Sequence, residues 1–227
     1  MSDNAQPLAA HDQHEMRGRL RSAQDAPVVY VVDDDPAVLK GLARLLRSAG
    51  MEVVTYGSAH ELMVQRDLNA PGCLVLDVSM PGLGGLELQK LLAQQGDEPA
   101  IVFLTGHGNI PMGVQAMKRG AVDFLTKPVN DVALLKAVSA AIERDRTQRL
   151  ARAQLDEIRQ CYATLTPRER EVMQHVIAGR LNKQTAADLG TVEKTIKVHR
   201  SRIMQKMKVD SLAELVRIAE RAGITGP

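Results

Sequence analysis

Tryptophan is missing, and only three Tyr and two Phe occur in 227 residues. That leaves no supply of stacking platforms for single-stranded nucleic acid, and a core must be built from Val, Leu, Ile, Ala and Met. Cysteine is nearly as scarce. Cys73 and Cys161 lie far apart in no metal-ligand spacing, which excludes a disulfide framework or a zinc cluster and fits a reducing cytoplasm. Apolar runs never approach membrane-spanning length and the first residues lack a signal-peptide core, so no membrane partner is expected. A one-sided charge is also missing, the net value being +2. Its distribution is uneven, however. Residues 27–128 hold eight Lys and Arg against eleven Asp and Glu, and residues 166–227 hold twelve against seven. An acidic front and a basic back predict two domains with different partners.

Residues 1–26 are polar and without apolar period, and read as a disordered extension. From Pro27 short apolar runs alternate with helical periodicity. Strands are predicted at Val28–Val32, Glu52–Tyr56, Leu74–Asp77, Ala100–Leu104 and Ala121–Leu125. Between them lie helices over 37–49, 59–68, 86–94 and 110–119. Asp35 and Pro36 supply the cap and first turn of the first helix, where Leu39, Leu42, Leu45 and Leu46 share a face. Such alternation predicts a doubly wound, five-stranded parallel sheet with right-handed crossovers, a flavodoxin-like α/β fold. One long helix is expected from about residue 130 to 160, its first half packed on the sheet and residues 143–163 serving as a helical linker. The predicted organisation is therefore a domain over 27–142, that linker, and a small all-α domain over 164–227.

The carboxyl ends of the strands carry the chemistry. Asp33 and Asp34, Asp77, Thr105 and Lys127 all fall at that rim, where ligands bind in open α/β sheets. Three carboxylates in one cleft raise each other's pKa unless a cation is present, and a hard divalent ion with oxygen ligands, Mg2+, resolves the repulsion. Asp77 can then act as a nucleophile toward phosphorus, while Lys127 and the Thr105 hydroxyl accommodate the incoming oxygens. A structural ion pair around Lys127, or a phosphatase or phosphotransferase acting on a soluble substrate, would use the same residues. The agreement of five strand ends argues against the first, and the second gives the basic C-terminal half no role.

The phrases VVDDD, LDVSMPGLGG, FLTGHG and DFLTKP resemble the receiver domain of two-component response regulators, most closely the FixJ-type branch. The resemblance implies that Asp77 accepts a phosphoryl group from a sensor histidine kinase. It further implies that Asp34, Asp77 and the Ser79 carbonyl bind Mg2+, with Asp33 helping through water. Thr105 and Phe124 match the family's switch pair of a hydroxyl and an aromatic, and the peptide before Pro128 is expected to be cis. The protein is then expected to be a regulator, not an enzyme.

In the C-terminal half, Thr166-Pro167-Arg168-Glu169 is a helix start with a capping box. Helices follow at 182–189, 193–206 and 211–222. A short helix, a tight turn and a longer basic helix make a helix-turn-helix. Ile196, Ile203 and Met207 fall on the core side of the basic helix. Lys194, Thr195, Lys197, Val198, Arg200 and Ser201 are the candidate contacts to double-stranded promoter DNA, with phosphates supplying most of the affinity and base edges the specificity. The phrases LTPREREVM, GRLNKQTAADLG and KTIKVHRSRIMQKM resemble the LuxR/NarL-type DNA-binding domain. That family places Ser just before the recognition helix. Here the positions are Thr191-Val192, so the cap comes from Thr191 one residue early or is missing. The resemblance also implies a homodimer on phosphorylation, with Leu212, Leu215, Val216 and Ala219 as candidates for the dimer face as well as for core, and action with RNA polymerase as an activator that raises transcription.

Overall fold

The structure, a computed structural model, describes residues 26–65, 71–106 and 110–226. Residues 1–25 of the expected N-terminal extension, the end of the helix expected at 59–68, and His107-Gly108 lie outside the described residues. The chain divides into two compact units, 1–148 and 149–227.

In the first unit five strands form one parallel sheet: β1 (Val28–Val32), β2 (Glu52–Tyr56), β3 (Gly72–Asp77), β4 (Ala100–Thr105) and β5 (Asp123–Thr126), in the order β2-β1-β3-β4-β5. Because the chain steps from β1 outward to β2 and then returns past β1 to β3, the order reverses between β1 and β3. A crevice opens there at the carboxyl ends. The strands read as continuous apolar runs because both faces are covered. Along β1, Val29 and Val31 enter one core while Tyr30 and Val32 enter the other.

The first core is closed by α1 (Pro36–Ser48), through Leu42, Ala43 and Leu46, and by the start of α5 (Asp131–Ala163). The second is closed by α2 (Ala59–Gln65), α3 (Gly85–Gln94) and α4 (Ile110–Lys118). Asp35 caps α1 as the sequence predicts, its Oδ1 accepting from Ala37 N at 2.8 Å. Strand β5 starts later than expected, at Asp123. Gly120, at φ 89°, ends a turn, and Val122 N donates to Ile101 O at 2.7 Å before the regular β4–β5 ladder begins.

Helix α5 runs unbroken for 33 residues. The segment 143–163, expected as a linker, is divided between two cores. Asp145 is buried, and its Oδ2 accepts from Gly72 N at 2.9 Å at the start of β3. Gly72 has φ 149°, and a Cβ there would lie 1.9 Å from Val28 O. Further on, Ile158, Cys161 and Tyr162 join the core of the second unit.

That second unit consists of the end of α5 with α6 (Pro167–Ile177), α7 (Asn182–Asp188), α8 (Glu193–Lys206) and α9 (Leu212–Arg221). Val172, Met173, Ile196, Ile203 and Leu215 are its fully enclosed centre. Thr166 and Glu169 form the expected capping box. Glu169 has a second role that the local pattern does not reveal. It is 3% exposed, and Lys206 of α8 places its ammonium 2.6 Å away. That bond, with the Thr166 donors, outweighs burial and holds the Glu169 carboxyl down at about 2, against an ordinary 4.5.

A carboxylate depressed on folding contributes stability that is complete above its unfolded value and lost as pH falls toward its folded value. Glu169→Gln is therefore expected to destabilise the second unit by roughly 2 kcal/mol at pH 7. Its deficit against the parent protein should shrink as pH falls from 4.5 to about 2. Thermal melts of both proteins across that window check it, and a deficit unchanged by pH would contradict the assignment.

Candidate functional site

The crevice between β1 and β3 gathers the predicted carboxylates. Asp33 directly follows β1 and is 1% exposed, Asp77 ends β3 at 4%, and Asp34 is exposed beside them. One oxygen from each lies within 4.8 Å of the others. Lys127, just past β5, sets its Nζ 2.6 Å from Asp33 Oδ2 and 2.9 Å from Asp77 Oδ1. The free oxygens are also engaged: Ser79 N donates to Asp77 Oδ2 at 3.1 Å, and Asp35 N to Asp33 Oδ1 at 3.0 Å.

Burial pushes the Asp77 carboxyl up, the Asp33 charge adds to that, and Lys127 and the Ser79 amide oppose it. For Lys127, burial lowers its pKa, but the bonds and charges of the two carboxylates outweigh this and raise it. One ammonium, paired with two of the three acids, leaves negative charge in the cleft. An all-oxygen donor set of this kind suits a hard divalent cation. The cluster of Asp33, Asp34 and Asp77 therefore fits a hard divalent cation such as Mg2+.

The loop after Asp77 explains its glycines. Gly85 N donates to Val78 O at 3.0 Å, which folds the start of α3 back over the end of β3. A Cβ on Gly85 would fall 2.3 Å from the Asp77 carbonyl oxygen. On the other side, Thr105 ends β4 fully buried, and its carbonyl accepts from Lys127 N at 2.7 Å. The same backbone bond thus holds both the hydroxyl-bearing residue and the lysine at the rim. Phe124 pairs with Phe103 in the β4–β5 register, the rings 6.3 Å apart and tilted by 50°. Phe124 is half-buried, and its ring lies 3.4 Å from where a Gly113 Cβ would stand, so glycine in α4 makes room for it. The Lys127–Pro128 peptide is cis.

In the second unit Lys194, Lys197, Val198 and Ser201 are exposed along α8, and Thr195 is half-buried. Lys197 lies 3.2 Å from Glu193 one turn earlier. Helix α8 starts at Glu193 behind Val192, which makes no side-chain cap, so of the two alternatives the helix takes the one without a cap. Arg200, expected to face outward, is half-buried instead. Its Nη1 donates to Asn182 Oδ1 at 3.0 Å. Asn182, at the first position of α7, carried no signal in the sequence beyond its place near a helix start. Of the four dimer-face candidates, Leu215 and Ala219 are 0% and 1% exposed and belong to the core of this unit. Leu212 remains exposed and Val216 half-exposed.

Residues 29–139 match the response regulator receiver domain, and residues 163–219 match the bacterial regulatory proteins of the luxR family. Nodulation protein W of Bradyrhizobium diazoefficiens is 47% identical over 209 residues, 92% of each chain. The chain belongs to the two-component response regulators. Among its relatives, the transcriptional regulatory protein FixJ of Azorhizobium caulinodans is 44% identical, with 86% of this chain and 93% of that one covered. Response regulator protein TodT of Pseudomonas putida is 46% identical, with 89% of each covered. The solved structure of response regulator StyR matches with a TM-score of 0.78 at 48% identity, covering 86% of this chain and 99% of that chain. The protein is thus a FixJ-type response regulator with a receiver and a LuxR-type DNA-binding domain. Among the described residues, no helix is long and apolar enough to cross a membrane.

Removing the Lys127 ammonium should expose the repulsion it offsets. Lys127→Ala is expected to lower stability by roughly 2 kcal/mol. Millimolar Mg2+ should raise its melting temperature more than that of the parent. Calorimetry with and without the ion checks both, and equal Mg2+ responses would speak against this charge arrangement.

Proposed function

We propose that Asp77 is the phosphoryl acceptor of this response regulator, and that its occupancy controls promoter binding. The observation that carries the reading is the Lys127 ammonium within 3 Å of both Asp33 and Asp77 at the switch point of the sheet. An Asp77 carboxylate oxygen attacks the phosphorus of a phosphohistidine on a sensor kinase. The P–O bond forms as the P–N bond breaks, and the imidazole nitrogen leaves with the electron pair and takes up a proton. Lys127 offsets charge on the transferring oxygens, and Thr105 offers its hydroxyl to one of them. Asp33, Asp34, Asp77 and the Ser79 carbonyl would hold Mg2+, which supplies further neutralisation of phosphate charge. The group stays on the protein, so the chain acts as a regulator and turns over no soluble substrate.

In this reading Thr105 and Phe124 form the switch. A hydroxyl drawn toward the phosphoryl group opens space behind it for the half-buried ring, and the phosphorylated form is favoured only as far as those contacts differ between the two states. That form dimerises, with Leu212 and Val216 available on the DNA-binding unit. It binds double-stranded promoter DNA through α8, where Lys194 and Lys197 face phosphates and Thr195, Val198 and Ser201 lie near base edges. We place the protein in the cytoplasm, acting as an activator together with RNA polymerase.

Asp77→Asn should abolish labelling by acetyl phosphate and remove the gain in DNA affinity that a phosphodonor gives the parent. Chelating Mg2+ should suppress labelling of the parent as well. Radiolabel retention and gel-shift titration measure the two effects. Labelling that persists in the variant would place the acceptor elsewhere.

A further inference from the structure

The basic helix presents two kinds of surface. With 100° between successive residues, Lys194, Val198 and Ser201 of α8 fall within about 60° of one another, whereas Arg200 lies about 100° from Ser201 and only about 40° from Ile196. Ile196 is fully buried. Arg200 therefore sits at the margin between the reading face and the core, which agrees with its half-buried state. There its guanidinium donates to Asn182 Oδ1 at 3.0 Å, a residue 18 positions earlier on the other helix of the helix-turn-helix.

A charge-assisted bond in a partly shielded place is stronger than a neutral exposed one. It also fixes direction, since the guanidinium is planar and its donors are rigidly placed. Elsewhere at the α7–α8 junction Thr191 N donates to Ala186 O at 2.9 Å and Ile196 packs beneath, while a side-chain bond to the turn comes from outside the pair, Arg168 Nη2 of α6 donating to Leu189 O. With no side-chain cap at Val192, the start of α8 has no polar clamp of its own.

We propose that the Asn182–Arg200 pair is a strut that sets the angle of α8 to α7, and that Arg200 is a positioning residue for DNA recognition and not a reader of a base. This rests on the reading of α8 as the DNA-recognition helix. Small errors in helix placement matter because a base contact is lost when donor and acceptor move beyond hydrogen-bond range. Loss of the strut should therefore blunt discrimination at every base pair that α8 reads. Loss of a base reader should erase preference at one.

The test uses the full chain, phosphorylated with acetyl phosphate, and a pool of duplex DNA carrying a randomised central segment. Sequences retained by the parent, Asn182→Ala, Arg200→Met and the double variant are compared, with Val198→Ala as the reference for a single reader. Arg200→Met keeps the apolar stem, and thermal melts establish that each variant is folded. Each strut variant is expected to reduce the ratio of selected to random DNA affinity by about tenfold, spread over the whole selected site. The double variant should be no worse than either single change, because both remove the same bond.

The proposal is overturned if Arg200→Met erases preference at one base pair while Asn182→Ala leaves it intact. It is overturned equally if the two effects multiply, or if the single variants select DNA as the parent does. If the phosphorylated parent selects no sequence, the reading of α8 as the recognition helix fails and the strut fails with it, a result distinct from the other three. A variant that loses affinity only in proportion to its unfolded fraction would assign the pair to stability alone and also reject the proposal.

Discussion

A single ammonium group between two buried carboxylates sets the terms for the receiver. Asp33 and Asp77 are each nearly enclosed, at the ends of adjacent strands, and no packing argument favours an acid in either place. They persist because Lys127 reaches both. Removing an ion from water costs several kcal/mol unless its partners are close and its remaining lone pairs are bonded. Here the backbone amides of Ser79 and Asp35 complete the set. The compensation is incomplete, since Asp34 adds a third acid nearby. A cleft left negative in this way is receptive to a cation, and once cations are in place, to a phosphoryl group.

The position of Lys127 depends in turn on the sheet. Its backbone N–H bonds the Thr105 carbonyl, so the end of β4 and the residue after β5 are held together at the rim. Two positions back along the same ladder, Phe103 stands opposite Phe124. On the proposed switch, a pull on Thr105 acts two residues from an aromatic ring that is only half-buried and has a glycine, not a side chain, beside it on α4. Cores resist continuous deformation and respond by moving between discrete packings. A half-buried ring at the edge of a core is the kind of group that can have two such packings available.

The strands and their polar ends were legible because a parallel sheet covered on both faces leaves an unmistakable pattern: apolar runs such as Val28–Val32 and residues 74–76, each followed by acids or turn residues. The boundaries of α8, fixed by Glu193 and Lys206, were legible for a similar reason. Other features were not. Glu169 has a complete local explanation as a capping-box residue, and nothing near it in sequence announces Lys206, 37 residues on. Asp145 looked like part of a charged linker until its bond to Gly72, 73 residues away, placed it in the receiver. Leu215 and Ala219 share a helical face with Leu212 and Val216, but periodicity locates a face without saying how much of it the domain itself consumes. Pairings between distant side chains have no period, and sequence patterns cannot express them.

The DNA-binding unit meets a different demand from the receiver. Phosphate attraction gives affinity without sequence preference, and the exposed lysines of α8 are well placed for it, being able to adapt on long flexible stems. On the proposed reading, Val198 and Ser201 are short and act only if the helix carries them to within contact distance of the groove floor. Their usefulness is therefore inherited from the rigidity of α8. That rigidity comes from Ile196 and Ile203 on the buried side, from the Glu169–Lys206 pair at the carboxyl end, and from Arg200 along the flank. Apolar packing resists separation but tolerates small rotations, whereas directional polar bonds at two points along a helix also resist turning. A helix without a capping side chain gains most from such bonds, and two of the basic residues of α8, Arg200 and Lys206, make them within their own domain.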